Sequence, residues 1–153
     1  MRPVINTLFV IAAAANMAVA GDRPDFSGSW KLDLEKSLFG AMPPPAAMTR
    51  TVEQKGPDII VKQIITGPDM NVTFTYSTDG KETANSFLGT DFKSKANWDG
   101  KALMIINDVD AGGAQVKSTN RWTLSDDGKI FTDVLSITSP DGNLEVTYVL
   151  VKQ

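Results

Sequence analysis

Glycine-containing turn signals recur along this chain at intervals of roughly ten to fifteen residues, and this spacing constrains the fold more than any other feature. Asp79-Gly80, Asp99-Gly100 and Asp127-Gly128 are examples. Both positions of an Asp-Gly pair tolerate the positive φ of a tight hairpin turn. Each interval has the length expected of one strand in an all-β sandwich or barrel. The spacing therefore predicts an antiparallel meander.

The segments between the turns alternate apolar and polar residues with the two-residue period of a half-buried strand. Residues 26–34, 70–76 and 144–150 show this alternation most clearly. No window keeps the i, i+3, i+4, i+7 apolar pattern of an amphipathic helix. We therefore predict an all-β fold with a single up-and-down meander of nine to ten strands.

Residues 1–20 have the features of a secretory signal peptide. Arg2 is their only charged residue, an apolar run covers residues 8–15, and Ala18-Val19-Ala20 has the small-x-small pattern of a cleavage site. A membrane anchor and a buried N-terminal helix are the alternatives, but the apolar run is shorter than the roughly 20 residues of a spanning helix. We predict an exported domain, periplasmic or extracellular, of residues 21–153 without a membrane span.

The absence of cysteine and histidine excludes several classes of site. Disulfides, thiolate metal sites and histidine-dependent catalytic relays all need one of these residues. A formal net charge of -3 gives no footprint for nucleic acid. Catalysis by paired carboxylates would need Asp108 or Asp133 beside Glu145, and nothing in the sequence brings such a pair into a cleft. We predict no catalytic residue, no metal ion and no cofactor.

Residues 36–47 interrupt the meander. They contain Pro43-Pro44-Pro45 together with Phe39 and Met42. Proline fixes φ and cannot donate to a strand ladder, so this segment is predicted to be an extended connection. Two placements remain open: across an open end of the folded body, or along its surface as a linker with a polyproline II twist.

A meander of this many strands removes its edges by closing into a barrel. The segment Asp25-Phe26-Ser27-Gly28-Ser29-Trp30-Lys31-Leu32 resembles the opening strand of the calycin superfamily, in which lipocalins and fatty-acid-binding proteins begin with a phenylalanine and a Gly-x-Trp. The whole of residues 21–153 resembles small uncharacterised lipocalin-like proteins exported by bacteria. The resemblance implies a lipocalin-like β-barrel with structural roles for Phe26, Gly28 and Trp30, the last closing one end.

The sequence also departs from these families. Fatty-acid-binding proteins have a helix pair after the first strand, which the prolines of residues 36–47 cannot form. Their C-terminal Arg-x-Tyr, which holds a carboxylate, is absent from Tyr148-Val149-Leu150. Neither the paired cysteines nor the final helix of many secreted lipocalins is present. The resemblance therefore implies the fold but no specific ligand.

A cavity inside such a barrel is lined by the residues that share a face with the apolar core. Arg50 lies on this face and is placed to meet an anionic head group or, alternatively, to snorkel to solvent. A buried amide at Asn120 requires a local hydrogen bond or a wet interior. The predicted lining residues are Arg50, Phe74, Tyr76, Trp98, Met104, Ile106, Asn120, Trp122 and Tyr148.

Two functions are compatible with this sequence. The first is a binding protein for a small hydrophobic or amphipathic molecule, because aromatic walls with a few polar groups suit such ligands. The alternative is a filled barrel that acts through its surface, as an envelope or extracellular interaction module with no small ligand. No particular protein partner is indicated by the sequence.

Overall fold

The computed structural model describes residues 23–153, so the predicted signal peptide lies outside the described residues. Ten β-strands follow one another, and no helix occurs in this range. The strands are β1 (Gly28–Leu32), β2 (Ala47–Lys55), β3 (Asp58–Thr66), β4 (Met70–Ser77), β5 (Thr83–Phe87), β6 (Thr90–Asp99), β7 (Ala102–Ala111), β8 (Ala114–Leu124), β9 (Ile130–Ser139) and β10 (Gly142–Lys152). The described part of the chain thus has no helix of the length and apolar character needed to span a bilayer.

Successive strands pair antiparallel, with the exception of β4 and β5, and β1 also pairs with β10, so the ten strands form one sheet whose edges are β4 and β5. Within residues 23–153 no backbone pairing joins β4 to β5. Instead, the Asn85 side chain bridges this gap: its Oδ1 accepts from the Thr75 N–H at 2.8 Å, and its Nδ2 donates to the Thr75 carbonyl at 3.0 Å. The structure is a nearly closed meander barrel, which confirms the fold class predicted from the turns and the alternation.

The end of the barrel at which β1 begins is filled by side chains. Phe26, Trp30 and Phe131 are almost completely buried there. Trp30 Nε1 donates to the Phe26 carbonyl at 3.0 Å, and the Trp30 ring meets the Phe131 ring edge-on with 5.3 Å between centroids. The structure thus places Phe26 and Trp30 in the packing of this closed end, where apolar burial stabilises the fold.

Gly28 lies at the start of β1 and has a φ of +135°, a region that other residues rarely adopt. A Cβ at this position would lie 3.3 Å from Cε of Lys152. The Lys152 ammonium lies 5.6 Å from the centre of the Trp30 ring, within cation–π range. A glycine at this position therefore lets the last strand bring its lysine over the tryptophan.

The proline-rich connection lies at the opposite, open end. Leu38 exchanges backbone hydrogen bonds with Thr147 of β10, at 2.9 and 2.7 Å. The Phe39 ring contacts the Tyr148 ring edge-on at 6.1 Å, and Met42 lines the interior. Of the two placements left open by the sequence, these contacts favour the one at the open end, where the segment forms part of the rim.

Candidate functional site

The open half of the barrel contains a cavity of about 500 Å³. This volume lies within the range of about 300–1,000 Å³ that is usual for small-molecule sites. The rings of Phe87 and Phe92 both pack near Phe74, with centroids 6.3 and 6.1 Å away. The apolar wall, from the mouth inward, is formed by Met42, Ile65, Phe74, Phe87, Leu88, Phe92, Val109, Ala111, Val116, Leu135 and Ile137.

A ring of polar side chains lies between this apolar wall and the closed end. Seven strands each contribute one of these side chains. In each strand, the residues two positions before and two positions after it also face the interior. In β9, for example, Asp133 follows Phe131 and precedes Leu135 at two-residue spacing. We call this ring the polar belt, and its members are Arg50, Gln63, Asn85, Ser94, Asn107, Asn120 and Asp133.

An ion pair lies at the centre of the polar belt. Arg50 Nη1 donates to Asp133 Oδ2 at 2.9 Å, and Arg50 Nε donates to Gln63 Oε1 at 2.6 Å. The side chains of Arg50 and Asp133 are only 5% and 1% exposed. Asp133 Oδ1 also accepts from Asn120 Nδ2 at 2.9 Å. A buried ion pair with these additional hydrogen bonds compensates both charges within the protein.

The remaining members extend this network across the adjoining strands. Asn107 Nδ2 lies 3.3 Å from Asn120 Oδ1 and donates to it, and Ser94 Oγ donates to Asn107 Oδ1 at 2.6 Å. Asn85 Nδ2 lies 2.9 Å from Ser94 Oγ. Local hydrogen bonds thus satisfy the amide of the half-buried Asn120, which is the first of the two alternatives that the sequence left open, a local hydrogen bond or a wet interior.

Two nitrogen atoms beside the belt have no acceptor within residues 23–153. Arg50 lines the cavity and makes its hydrogen bonds through Nε and Nη1, so its Nη2 makes none. Trp122 Nε1 is buried without a hydrogen-bond partner. An unsatisfied buried donor costs about 1–3 kcal/mol. Each of the two residues therefore has one side-chain donor that the protein leaves unused.

Two tyrosines adjoin the polar belt, and their hydroxyl groups are held neutral. Burial raises the pKa of Tyr76 far above its ordinary value, and the negative charge of Asp133 raises it further while Arg50 partly offsets this. The same causes, in the same order, raise the pKa of Tyr148. Both phenols therefore remain available as donors and acceptors near neutral pH.

This shift gives a titration that can be read directly, because the chain has only two tyrosines. Near pH 10, we expect less phenolate absorbance from the native protein than from the protein in concentrated guanidinium chloride, because the pKa values of both tyrosines are raised only in the folded state. The raised pKa values stabilise the fold below about pH 10, and this contribution is lost as the pH rises further. Ionisation of either tyrosine at its ordinary pKa in folded protein would contradict the burial described for it.

Six of the nine predicted lining residues border the cavity. Trp98 instead lies at the closed end, where its ring stacks on Phe26 with 6.2 Å between centroids. Arg50 points into the barrel and is buried, so its guanidinium does not extend to solvent. The six are Arg50, Phe74, Tyr76, Asn120, Trp122 and Tyr148.

The structure corrects the predicted placement of Met104 and Ile106. Both lie on the outer side of β7, while Leu103, Ile105 and Asn107 face the interior. Met104 is paired with Arg121, and its sulfur accepts from Arg121 Nη1 at 3.7 Å. Because five apolar residues, 102–106, follow one another here, local alternation does not identify the inner face.

Several belt residues were absent from the predicted lining set, among them Gln63, Asn107 and Asp133. The two-residue alternation did indicate that these side chains face inward, because each lies two residues from apolar residues that do so. Their polarity argued against this placement, since a polar group without a partner inside a barrel is costly. Only the partners, which come from other strands, make these positions favourable.

Other features of the described residues carry less chemistry. An open groove lies on the outer surface at the gap between β4 and β5, and Thr73, Thr75 and Lys93 line it. Within residues 23–153, no three acidic side chains are grouped so that they could hold a metal ion. The interior cavity is therefore the site considered below.

The mouth of the cavity contains a strained turn. Leu88 and Gly89 join β5 to β6 with φ values of 50° and 78°, a geometry that favours Asn-Gly. Leu88 is also 74% exposed. A leucine in this conformation is unfavourable, which indicates a role at the mouth rather than in folding.

We expect Leu88→Asn to raise the free energy of unfolding by about 1 kcal/mol, because asparagine tolerates positive φ better than leucine. Chemical denaturation measures this change. Leu38→Asn is the control, since Leu38 is 68% exposed without positive φ. An equal gain in both variants, or a loss in Leu88→Asn, would contradict the strain.

Comparison with solved structures identifies the fold as a calycin barrel. Zebrafish ileal bile acid-binding protein, crystallised with cholic acid, has a TM-score of 0.62 at 16% identity and covers 84% of this chain and 98% of its own. The fatty acid transporter REP1-NXSQ has a TM-score of 0.62 at 15% identity and covers 84% of this chain and 96% of its own.

A third similar structure is a secretory abundant heat soluble protein from Ramazzottius varieornatus. Its TM-score is 0.65 at 10% identity, and the match covers 86% of this chain and 98% of that one. No family model and no curated protein sequence matches the chain. At these sequence identities, the similarity to the three structures shows the fold alone.

Proposed function

We propose that the protein binds one small amphipathic molecule inside the barrel. The observation that carries this proposal is the cavity of about 500 Å³, with an apolar wall above a polar floor. Apolar area supplies affinity and a few placed polar groups fix orientation. The similar structures that are described as a bile acid-binding protein and a fatty acid transporter support the same use of the fold.

The alternative of a filled barrel that acts by its surface is less well supported. Only the closed half is filled, by Phe26, Trp30, Phe131 and their neighbours. The open half retains space that a purely structural core would fill with side chains.

Titration with Nile red, a neutral hydrophobic dye, tests the proposed function. We expect a saturable increase in emission at one dye per protein molecule, and displacement of the dye by dodecanol. Trp122 borders the cavity, so its fluorescence provides a second readout. Unsaturable dye uptake that dodecanol does not reverse would overturn the proposal.

We further propose that the protein acts outside the cytoplasm, after removal of residues 1–20. The support is the signal-peptide pattern that ends in Ala18-Val19-Ala20. Mass spectrometry of the protein recovered from the periplasm or medium should show a chain that begins at Gly21. An intact Met1 on that protein would overturn this proposal.

A further inference from the structure

We propose that the cavity selects ligands with an uncharged polar head, such as an alcohol, over carboxylates and ammonium ions. This inference rests on the proposed function and specifies the class of ligand. It follows from the charges and hydrogen bonds of the polar belt.

Among residues 23–153, Arg50 and Asp133 are the only charged residues that line the cavity, and Arg50 Nη1 lies 2.9 Å from Asp133 Oδ2. The lining therefore has no net charge. A carboxylate that entered would lose its hydration, meet a cation already paired, and lie near the Asp133 carboxylate. An ammonium ion would likewise lose its hydration, meet an Asp133 carboxylate that is already paired, and lie near the positive charge of Arg50.

Three residues at the cavity have hydrogen-bonding groups that the protein leaves available to a ligand. Arg50 lines the cavity, and its Nη2 makes no hydrogen bond with residues 23–153. Ser118 Oγ accepts from Asn107 Nδ2 at 3.1 Å, and its own hydroxyl proton is left to donate. Tyr148 lines the same space as a neutral phenol, able to donate and to accept. An uncharged oxygen that both accepts and donates suits this set of groups.

Above the polar floor, the cavity wall toward the mouth is apolar, with Val109, Val116 and Ile137 among its residues. Each methylene that a ligand buries against such a wall favours binding, because apolar surface is removed from water. The gradient from polar floor to apolar mouth orients an alkyl alcohol with its hydroxyl at the belt and its chain toward the mouth.

The test compares three probes with the same chain: dodecanol, dodecanoate and dodecylammonium. Each displaces Nile red from the full-length mature protein at about pH 8, where both ions are charged. We expect dodecanol to bind about tenfold or more tightly than either ion. Tighter or equal binding of an ion would overturn the inference while leaving the proposed function intact. Failure of all three to bind, with no saturable dye uptake, would instead overturn the proposed function.

Asp133→Asn extends the test, because it removes the charge that compensates Arg50. We expect this variant to shift the dodecanoate-to-dodecanol affinity ratio about tenfold toward dodecanoate. Asp108→Asn is the matched control, since it removes the same charge from an exposed position on the outer side of β7. An equal shift in both variants, or none in Asp133→Asn, would overturn the inference. If Asp133→Asn fails to fold, the three-probe comparison on the unsubstituted protein decides.

Discussion

Replacing Arg50 with methionine is expected to lower the free energy of unfolding by about 3–5 kcal/mol. The reason is that the carboxylate of Asp133, which is 1% exposed, would lose the cation that compensates it inside the barrel. Stabilities of single domains are about 5–15 kcal/mol, so this loss is a large fraction of the total. Chemical denaturation followed by circular dichroism measures it.

Two further variants distinguish a lost ion pair from a merely disturbed core. Arg50→Met combined with Asp133→Leu should recover most of the loss, because replacing a whole buried pair by apolar residues is often neutral. Lys93→Met breaks an exposed pair with Glu82 at 3.1 Å and should cost about 1 kcal/mol or less. A loss in Arg50→Met no larger than in Lys93→Met would contradict the buried pair.

Filling the cavity is expected to abolish binding without loss of the fold. Val109 and Val116 face each other across β7 and β8, and both line the cavity. Tryptophan at both positions would occupy much of its space of about 500 Å³. We expect affinity for Nile red and for dodecanol to fall by roughly tenfold or more, since the buried apolar contacts of the ligand are lost.

The adjacent cross-strand pair provides the control. Asp108 and Lys117 lie opposite each other one residue away and point to the outer surface. Tryptophan at both of these positions should leave affinity unchanged. Equal effects of the inner and outer pairs, or unchanged affinity in the inner pair, would show that the ligand does not occupy the cavity.

The fold was predictable because the interactions that define it are local. Asp-Gly turns and two-residue alternation act within a few residues, so the ten-strand meander follows from the sequence without knowledge of partners. The inward positions of Phe74 and Tyr76 follow in the same way. Parity gives the face of a residue but not its depth, which is why Trp98 was placed in the cavity rather than at the closed end.

The chemistry of the site depends on contacts between distant strands. Arg50 and Asp133 are 83 residues apart, and neither segment alone shows that the other will compensate its charge. In β7, the pairing with β8 determines which side of its apolar run faces inward. Local patterns were therefore insufficient at Asp133 and at Met104. At both positions, the pairing between strands determines which way the side chain faces and which partner it meets.

The central claim is that one amphipathic molecule lies in the cavity with its polar head on the belt. Crystallography with a terminally brominated dodecanol tests this directly, because anomalous scattering locates the bromine atom. We expect one bromine peak at the mouth, near Leu88 and Met42, with continuous density to a hydroxyl beside Arg50. Bromine found only on the outer surface, such as in the groove between β4 and β5, with an empty cavity would contradict the claim.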